Sequence, residues 1–365
     1  MDFELTSEHL MLKESVASFI KNEHSFDRLR ELKGDKWGYS KDVWKKMADL
    51  GWMGFIYPED YGGLGLDFGF VMVLLEEMGK GMLPEPWISS VLLGGNIALL
   101  GGTDVQKKNI LPKIVEGDLF ITAAYMEDEG RYDLNYCGVT AKKCESGFLI
   151  SGKKIFVLDG CSADAFIVSA RTSGNPFDKN GISLFLLPCD SKGLGITSVK
   201  TMDGRNACVL ELKDVFVAES DMIGEFDKGY PILNKVIDQA TAGLCAEMVG
   251  GMQAVLDMTV QYISEREQFN KPIGSFQALQ HKASDMLIQK ELAMSASYYA
   301  IASIDENSDE SALAVSVAKA KCSMAYLEVT KTSLQLTGGF GFTNEADFGF
   351  FLKRAKVAET LFGDA

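Results

Sequence analysis

The 365-residue sequence predicts an α+β fold that is mainly α: an N-terminal all-α domain, a middle β domain of barrel-like or sandwich type, and a C-terminal four-helix bundle. Three observations carry this expectation. Apolar residues recur at helical spacing up to about Asp118; short apolar runs punctuated by Gly, Asp, Asn and Pro then extend from about Leu119 to Ala218; the helical period returns after Gly229-Tyr-Pro. Domains of 1–118, 119–226 and 227–365 follow, each of ordinary folding-unit size.

The first helix is announced by Thr6, an N-cap residue, followed by Leu10, Val16 and Phe19-Ile20 on one face. Tyr61-Gly-Gly-Leu-Gly-Leu and Leu83-Pro-Glu-Pro interrupt the helical pattern with residues suited to positive φ and to chain breaks. Phe148-Leu-Ile-Ser, Ala165-Phe-Ile-Val-Ser, Ile182-Ser-Leu-Phe-Leu-Leu and Cys208-Val-Leu-Glu-Leu read as hairpin-linked strands. Helices are expected from about Ile232 to Arg266, from Phe276 to about Ile304 and from about Ser311 to Leu336, with the acidic turn Asp305-Glu-Asn-Ser-Asp-Glu between the last two.

Composition narrows the function. With 47% apolar and 24% charged residues the chain is an ordinary globular one, and extended disorder is excluded. The net charge of -15 repels phosphate backbones, so neither a nucleic acid nor an anionic membrane is expected as partner. An anionic ligand must find local donors. Seven cysteines without a Cys-x-x-Cys pair, and three histidines, predict reduced thiols and no metal site. The acidic N-terminus lacks a signal-peptide pattern, and no apolar run approaches the roughly 18 residues of a membrane span, so a cytoplasmic location is expected.

Two C-terminal strings bear donors for an anion. They are Arg266-Glu-Gln-Phe-Asn-Lys-Pro-Ile-Gly-Ser-Phe-Gln-Ala-Leu-Gln-His281 and Gln335-Leu-Thr-Gly-Gly-Phe-Gly-Phe-Thr343. Arg266 presents a forked guanidinium, Gln277 and Gln335 present amides, and Gly338-Gly339 let backbone N–H groups approach phosphate oxygens. The alternative is an Arg266 paired with Glu265 or Glu267 and glycines that only turn the chain.

With these strings, Leu352-Lys-Arg-Ala-Lys356 and Tyr61-Gly-Gly-Leu-Gly-Leu in α-β-α order, the chain resembles the acyl-CoA dehydrogenase family over nearly its whole length. The resemblance implies FAD, its diphosphate and adenosine held at Arg266, Phe269, Gln277, Gln335, Gly338 and Gly339 across a subunit interface. It implies an acyl-CoA substrate oxidised at its α,β bond, with a carboxylate taking the α proton and flavin N5 receiving the hydride. Assembly as a homo- or hetero-oligomer is implied as well, a tetramer or an α2β2 pairing with a second such subunit, with an electron-transfer flavoprotein as acceptor.

Departures from the family pattern are specific. At the two positions where many members carry the catalytic glutamate this chain has Phe362 and Ala240, and a common neighbouring arginine is Thr241. Hydroxyl donors to the isoalloxazine edge are replaced at Met126 and Leu158, in Met126-Glu-Asp and Phe156-Val-Leu-Asp-Gly160, which leaves backbone groups there. These features resemble a subgroup that works as one of two unlike subunits. Glu247 is the expected base, two helical turns past Ala240 on a small apolar face where desolvation favours the protonated form. The competing reading is a Glu247 paired to an arginine or lysine. Asp364 is a second candidate, His281 is expected to be hydrogen-bonded and structural, and the Met72, Met78, Met82 and Met248, Met252, Met258 groups are expected in the core. A catalytically silent partner subunit is the alternative to an active dehydrogenase.

Overall fold

The computed structural model describes residues 5–364. In chain order its helices are α1 (Ser7–Glu23), α2 (Phe26–Leu32), α3 (Lys41–Asp49), α4 (Phe68–Gly81), α5 (Asn96–Gly101), α6 (Asp104–Val115), α7 (Gly229–Glu265), α8 (Gln277–Asp305), α9 (Ser311–Thr337) and α10 (Phe348–Thr360). The strands are β1 (Ile121–Ala124), β2 (Thr140–Cys144), β3 (Gly147–Leu158), β4 (Ala165–Arg171), β5 (Ile182–Pro188), β6 (Leu194–Lys200), β7 (Asn206–Ala218), β8 (Met222–Ile223), β9 (Glu267–Gln268) and β10 (Lys271–Pro272). Two compact units result. One holds residues up to Arg30, Asp67–Leu83 and the chain from Thr241 onward; the other holds Glu31–Leu66 and Pro84–Ala240. Among the described residues no helix is long and apolar enough to cross a membrane.

The first unit is helical. Thr6 caps α1, its hydroxyl accepting from the His9 N–H while His9 Nδ1 accepts from the Thr6 N–H, so two orphan donors are satisfied together. Helices α4 and α7 touch backbone to backbone. A Cβ on Gly79 would stand 2.0 Å from the Glu247 carbonyl oxygen, and one on Gly250 would stand 1.8 Å from that of Glu76. Alanine at either place would force the helices apart. Met72, Met78, Met82, Met248 and Met252 are buried here, as core residues at helical spacing should be, while Met258 is half-buried.

The second unit is built on an eight-stranded sheet of order β6-β7-β3-β2-β4-β5-β8, with β1 beside β4. Its core includes Phe148, Ile150, Phe166, Val168, Phe185, Leu187, Leu210 and Val215, all at 2% exposure or less. The barrel-like closure expected from the sequence is not formed. Closure needs the two end strands to pair. Here β6 pairs only with β7 and is exposed along nearly its whole length, while β8 is two residues long. The hairpins β2–β3, β4–β5 and β6–β7 are antiparallel, but β1 joins β4 in parallel. Strand β3 shifts register against β7 between Lys154 and Val157, and Phe156 there has φ +48°. An aromatic residue in that region is strained backbone.

Candidate functional site

The long helix α7 carries two acids in opposite circumstances. Glu247 is buried, and the guanidinium of Arg354 on α10 grips both of its oxygens: Nε donates to Oε1 at 2.7 Å and Nη2 to Oε2 at 3.0 Å. This is the paired arrangement that the sequence left open, in the bidentate geometry that makes arginine–carboxylate contacts strong. The lone desolvated carboxylate expected on that face is not what forms.

Two turns earlier, Asp238 has no cation within ion-pair reach among the described residues. It ends a ladder on one helix face, Tyr230 donating to Asn234 and Asn234 to Asp238, both at 3.4 Å. Those bonds are long. Burial dominates instead and pushes the Asp238 carboxyl up to about 6. Next in sequence, Gln239 accepts from Asn96 Nδ2 at 3.1 Å, and the buried Asn96 Oδ1 and Ser90 Oγ have no hydrogen-bond partner among the described residues. Ser90 lies in the π-helical stretch Ile88–Gly95, a local widening often found at functional sites. Glu76 on α4 is also pushed up, to about 7, by burial. At neutral pH a smaller fraction of it than of Asp238 is ionised and ready to take a proton.

At the end of α7 the chain turns through Arg266 into the hairpin β9–β10, whose tip residues Phe269 and Asn270 have φ +55° and +61°. Phe269 is 84% exposed and meets the Phe276 ring edge-on. Arg266 makes no ion pair with Glu265, Glu267 or any other acid among the described residues; Glu265 instead accepts from Gln261. Gln277 opens α8, and Gln335 lies in the last turn of α9, both exposed. Gly338, with φ +60° and ψ -143°, turns the chain out of α9, and nothing lies within 4 Å of a Cβ at Gly338 or Gly339. Tyr262 stacks on Phe340 with ring centroids 5.7 Å apart, tying the end of α7 to this glycine turn. A free guanidinium, two exposed amides and an open glycine turn in an acidic chain fit a dinucleotide diphosphate.

In the second unit Met126 and Leu158 are half-buried and enter the sheet through backbone: Met126 O accepts from Ile155 N at 2.9 Å, and Leu158 O from the Thr122 hydroxyl at 3.0 Å. The segment is strapped by Lys154, which is fully buried. Its ammonium donates to Tyr125 O at 3.3 Å, Glu127 Oε1 at 2.6 Å and Ser169 Oγ at 2.9 Å.

The remaining sequence candidates separate clearly. Asp364 is exposed, Phe362 has φ +60°, and Ala240 and Thr241 are buried in α7. His281 is exposed on α8 and makes no side-chain hydrogen bond among the described residues, against the bonded role expected for it. Asp238 was missed, although Tyr230, Asn234 and Asp238 at four-residue spacing were there to be read.

Family models match three stretches of the chain: acyl-CoA dehydrogenase N-terminal domain at residues 6–118, middle domain at 122–215 and C-terminal domain at 227–365. The probable acyl-CoA dehydrogenase YngJ of Bacillus subtilis is 32% identical, over 98% of this chain and 95% of its own length. Butyryl-CoA dehydrogenase from Megasphaera elsdenii has the same fold with a TM-score of 0.92 and 26% identity, covering 100% of this chain and 96% of that one. A chain solved in work on the electron transferring flavoprotein of Acidaminococcus fermentans gives a TM-score of 0.93 at 28% identity, covering 100% and 96%.

Proposed function

Because the chain belongs to the acyl-CoA dehydrogenase family, a family of FAD flavoproteins that oxidise CH–CH bonds, we propose that it converts an acyl-CoA thioester to the α,β-enoyl-CoA. The observation that carries this reading is the family match at residues 6–118, 122–215 and 227–365, joined to an Arg266 without an acidic partner among the described residues and an open glycine turn at Gly338–Gly339. Bound FAD would supply the two-electron acceptor for this oxidation. Arg266, Gln277, Gln335 and the Gly338–Gly339 backbone would hold its diphosphate and adenosine end, with the exposed Phe269 ring as an apolar cover. Backbone groups at Met126 and Leu158 would line the ring edge of an FAD held across a subunit interface.

The α proton goes to a carboxylate of α7. Glu247 is one proposed base: it is fixed and charged, but taking a proton would break its ion pair with Arg354. Asp238 is the other, and one observation favours it. Its proton affinity is raised by burial alone, with no cation to oppose proton uptake. At pH 7 to 8 such a group is mostly ionised and ready.

The physiological acceptor is an electron-transfer flavoprotein, supported by the shared fold of the Acidaminococcus chain. The exposed apolar residues Leu287, Ile288 and Leu292 on α8 and Leu313, Val317 and Met324 on α9 support burial in an oligomer, a tetramer of like or α2β2 subunits. The test is expression of the chain alone, a visible spectrum, and anaerobic addition of straight, branched and cyclic acyl-CoAs. Copurified flavin that bleaches with enoyl-CoA formation is the expected outcome. A colourless chain, or flavin that no acyl-CoA reduces, would overturn the reading for the isolated chain and leave it a non-catalytic partner.

A further inference from the structure

The end of α7 and the glycine turn after α9 carry the two halves of the anion site, and one side chain joins them. Tyr262 lies one helical turn before Arg266, whose N–H donates to the Tyr262 carbonyl at 2.8 Å. Its ring runs nearly parallel to Phe340, with centroids 5.7 Å apart and planes inclined by 2°, and meets Phe348 edge-on at 6.4 Å and 79°. Offset-stacked and T-shaped pairs are the two arrangements that ring quadrupoles favour. Phe340 is 43% exposed and Tyr262 is half-buried, so the stack lies at the surface and not in the core.

Both ring partners are themselves held. The Phe340 carbonyl accepts from the Thr343 N–H at 3.0 Å and from the Thr343 hydroxyl at 2.9 Å. At Gly341 the turn presses on α9, since a Cβ there would stand 2.2 Å from Thr337 Oγ1. Phe348 is buried at the start of α10, and the segment before it is gripped by Arg30 of α2. That guanidinium donates to Asn344 O at 3.2 Å, to Glu345 O at 3.4 Å and to the Asp347 carboxylate at 2.6 Å, and it lies 5.2 Å from the centroid of the Phe350 ring. Tyr262 is thus seated between two fixed rings, and the stack is a direct tie between the helix end that bears Arg266 and the turn that bears Gly338–Gly339.

We propose, on the FAD reading given above, that Tyr262 is a positioning residue for the dinucleotide: its two ring contacts set the separation of the Arg266 guanidinium from the Gly338–Gly339 backbone, so that both engage one diphosphate. A ligand held at two places binds more tightly when their spacing is fixed before it arrives. Tyr262 acts through Arg266 and the glycine turn, with Phe348 and Arg30 as the back of its seat. A ring that only filled space would behave differently. Trimming it would weaken FAD by the same factor whether or not Arg266 were present, whereas trimming a positioning ring loses most of its effect once the group it positions is gone.

The experiment titrates the full chain, stripped of flavin, with FAD and follows flavin fluorescence. Tyr262→Leu should raise the FAD Kd about tenfold, the upper worth of a stacked ring pair, while Tyr262→Phe, which keeps the ring, should stay within about twofold of wild type. In an Arg266→Ala background Tyr262→Leu should cost less than about threefold. Phe340→Leu removes the same stack from its more exposed side and should give the same loss if Tyr262→Leu does not fold. An unchanged FAD Kd in the folded variant, or a rise of equal size with and without Arg266, would overturn the proposal and leave the FAD reading standing. A wild-type chain that binds no FAD would overturn both.

Discussion

Helix α7 sets two kinds of charge side by side. Glu247 is buried with its charge met by Arg354, and in the second unit Lys154 is buried with its charge met by Glu127. Asp238 and Arg266, near the start and just past the end of the same helix, have no opposite charge among the described residues. A paired buried charge is spent on holding elements together, whereas an unpaired one retains its capacity for a proton or an anion. Glu247 with Arg354 fastens α7 to α10, and Lys154 holds the Tyr125 carbonyl and the Glu127 carboxylate on either side of Met126.

The largest effect expected from this contrast is on stability. Glu247→Gln leaves the Arg354 guanidinium buried without its counter-charge, which costs about 3–5 kcal/mol. Urea unfolding would measure it, and combining Glu247→Gln with Arg354→Met should restore most of the loss. A single variant within about 0.5 kcal/mol of wild type, the range of an ordinary surface change, would break the assignment of Glu247 to the paired class.

Next is a charge placed where none now lies. Leu292→Asp puts an uncompensated carboxylate on the exposed apolar face of α8 and α9, and an interface centre of this kind loses roughly 2 kcal/mol or more. Light scattering should show smaller assemblies than wild type, and an unchanged mass would remove that face from the interface. Arg266→Ala comes third. It should weaken FAD binding by about 1.5–3 kcal/mol, the worth of a hydrogen bond to a charged group, while leaving apoprotein unfolding unmoved. Arg266→Lys should recover only part, because an ammonium lacks the fork.

The smallest effect is a pH dependence. The folded-state value of Asp238 is raised from 3.8 to about 6, so its contribution to stability is fully present below pH 4 and is lost as pH rises through about 6. Asp238→Asn should therefore unfold at higher urea than wild type at pH 8 and at the same urea at pH 4. A gain at pH 4 would give Asp238 a partner that the structure does not show.

Much of the fold was legible because helices advertise themselves locally. Thr6 marks the start of α1, and the expected spans around Ile232–Arg266, Phe276–Ile304 and Ser311–Leu336 lie within a few residues of α7, α8 and α9. Strands were harder. β1 reads Ile-Thr-Ala-Ala and is buried on both faces, so it has no alternation to detect, and its parallel partner β4 begins more than forty residues later. The open sheet depends on which distant strands pair, and no local pattern states that. The site divides in the same way. Arg266, Gln335 and the glycine turn carry their chemistry in a short string, but Glu247 meets its cation 107 residues away, so burial was legible and pairing was not.

One measurement separates the two α7 acids as acceptors of the α proton. Flavin bleaching by an acyl-CoA that reduces the wild type is followed anaerobically by stopped flow at pH 7.5 for Asp238→Asn and Glu247→Gln, each flavin-loaded and folded. The expected result is a loss of about 10²–10⁴-fold in the bleaching rate for Asp238→Asn, the usual worth of a general base, and little change for Glu247→Gln. Rapid bleaching in Asp238→Asn together with its loss in Glu247→Gln would contradict the account and return the base to the arginine-paired glutamate.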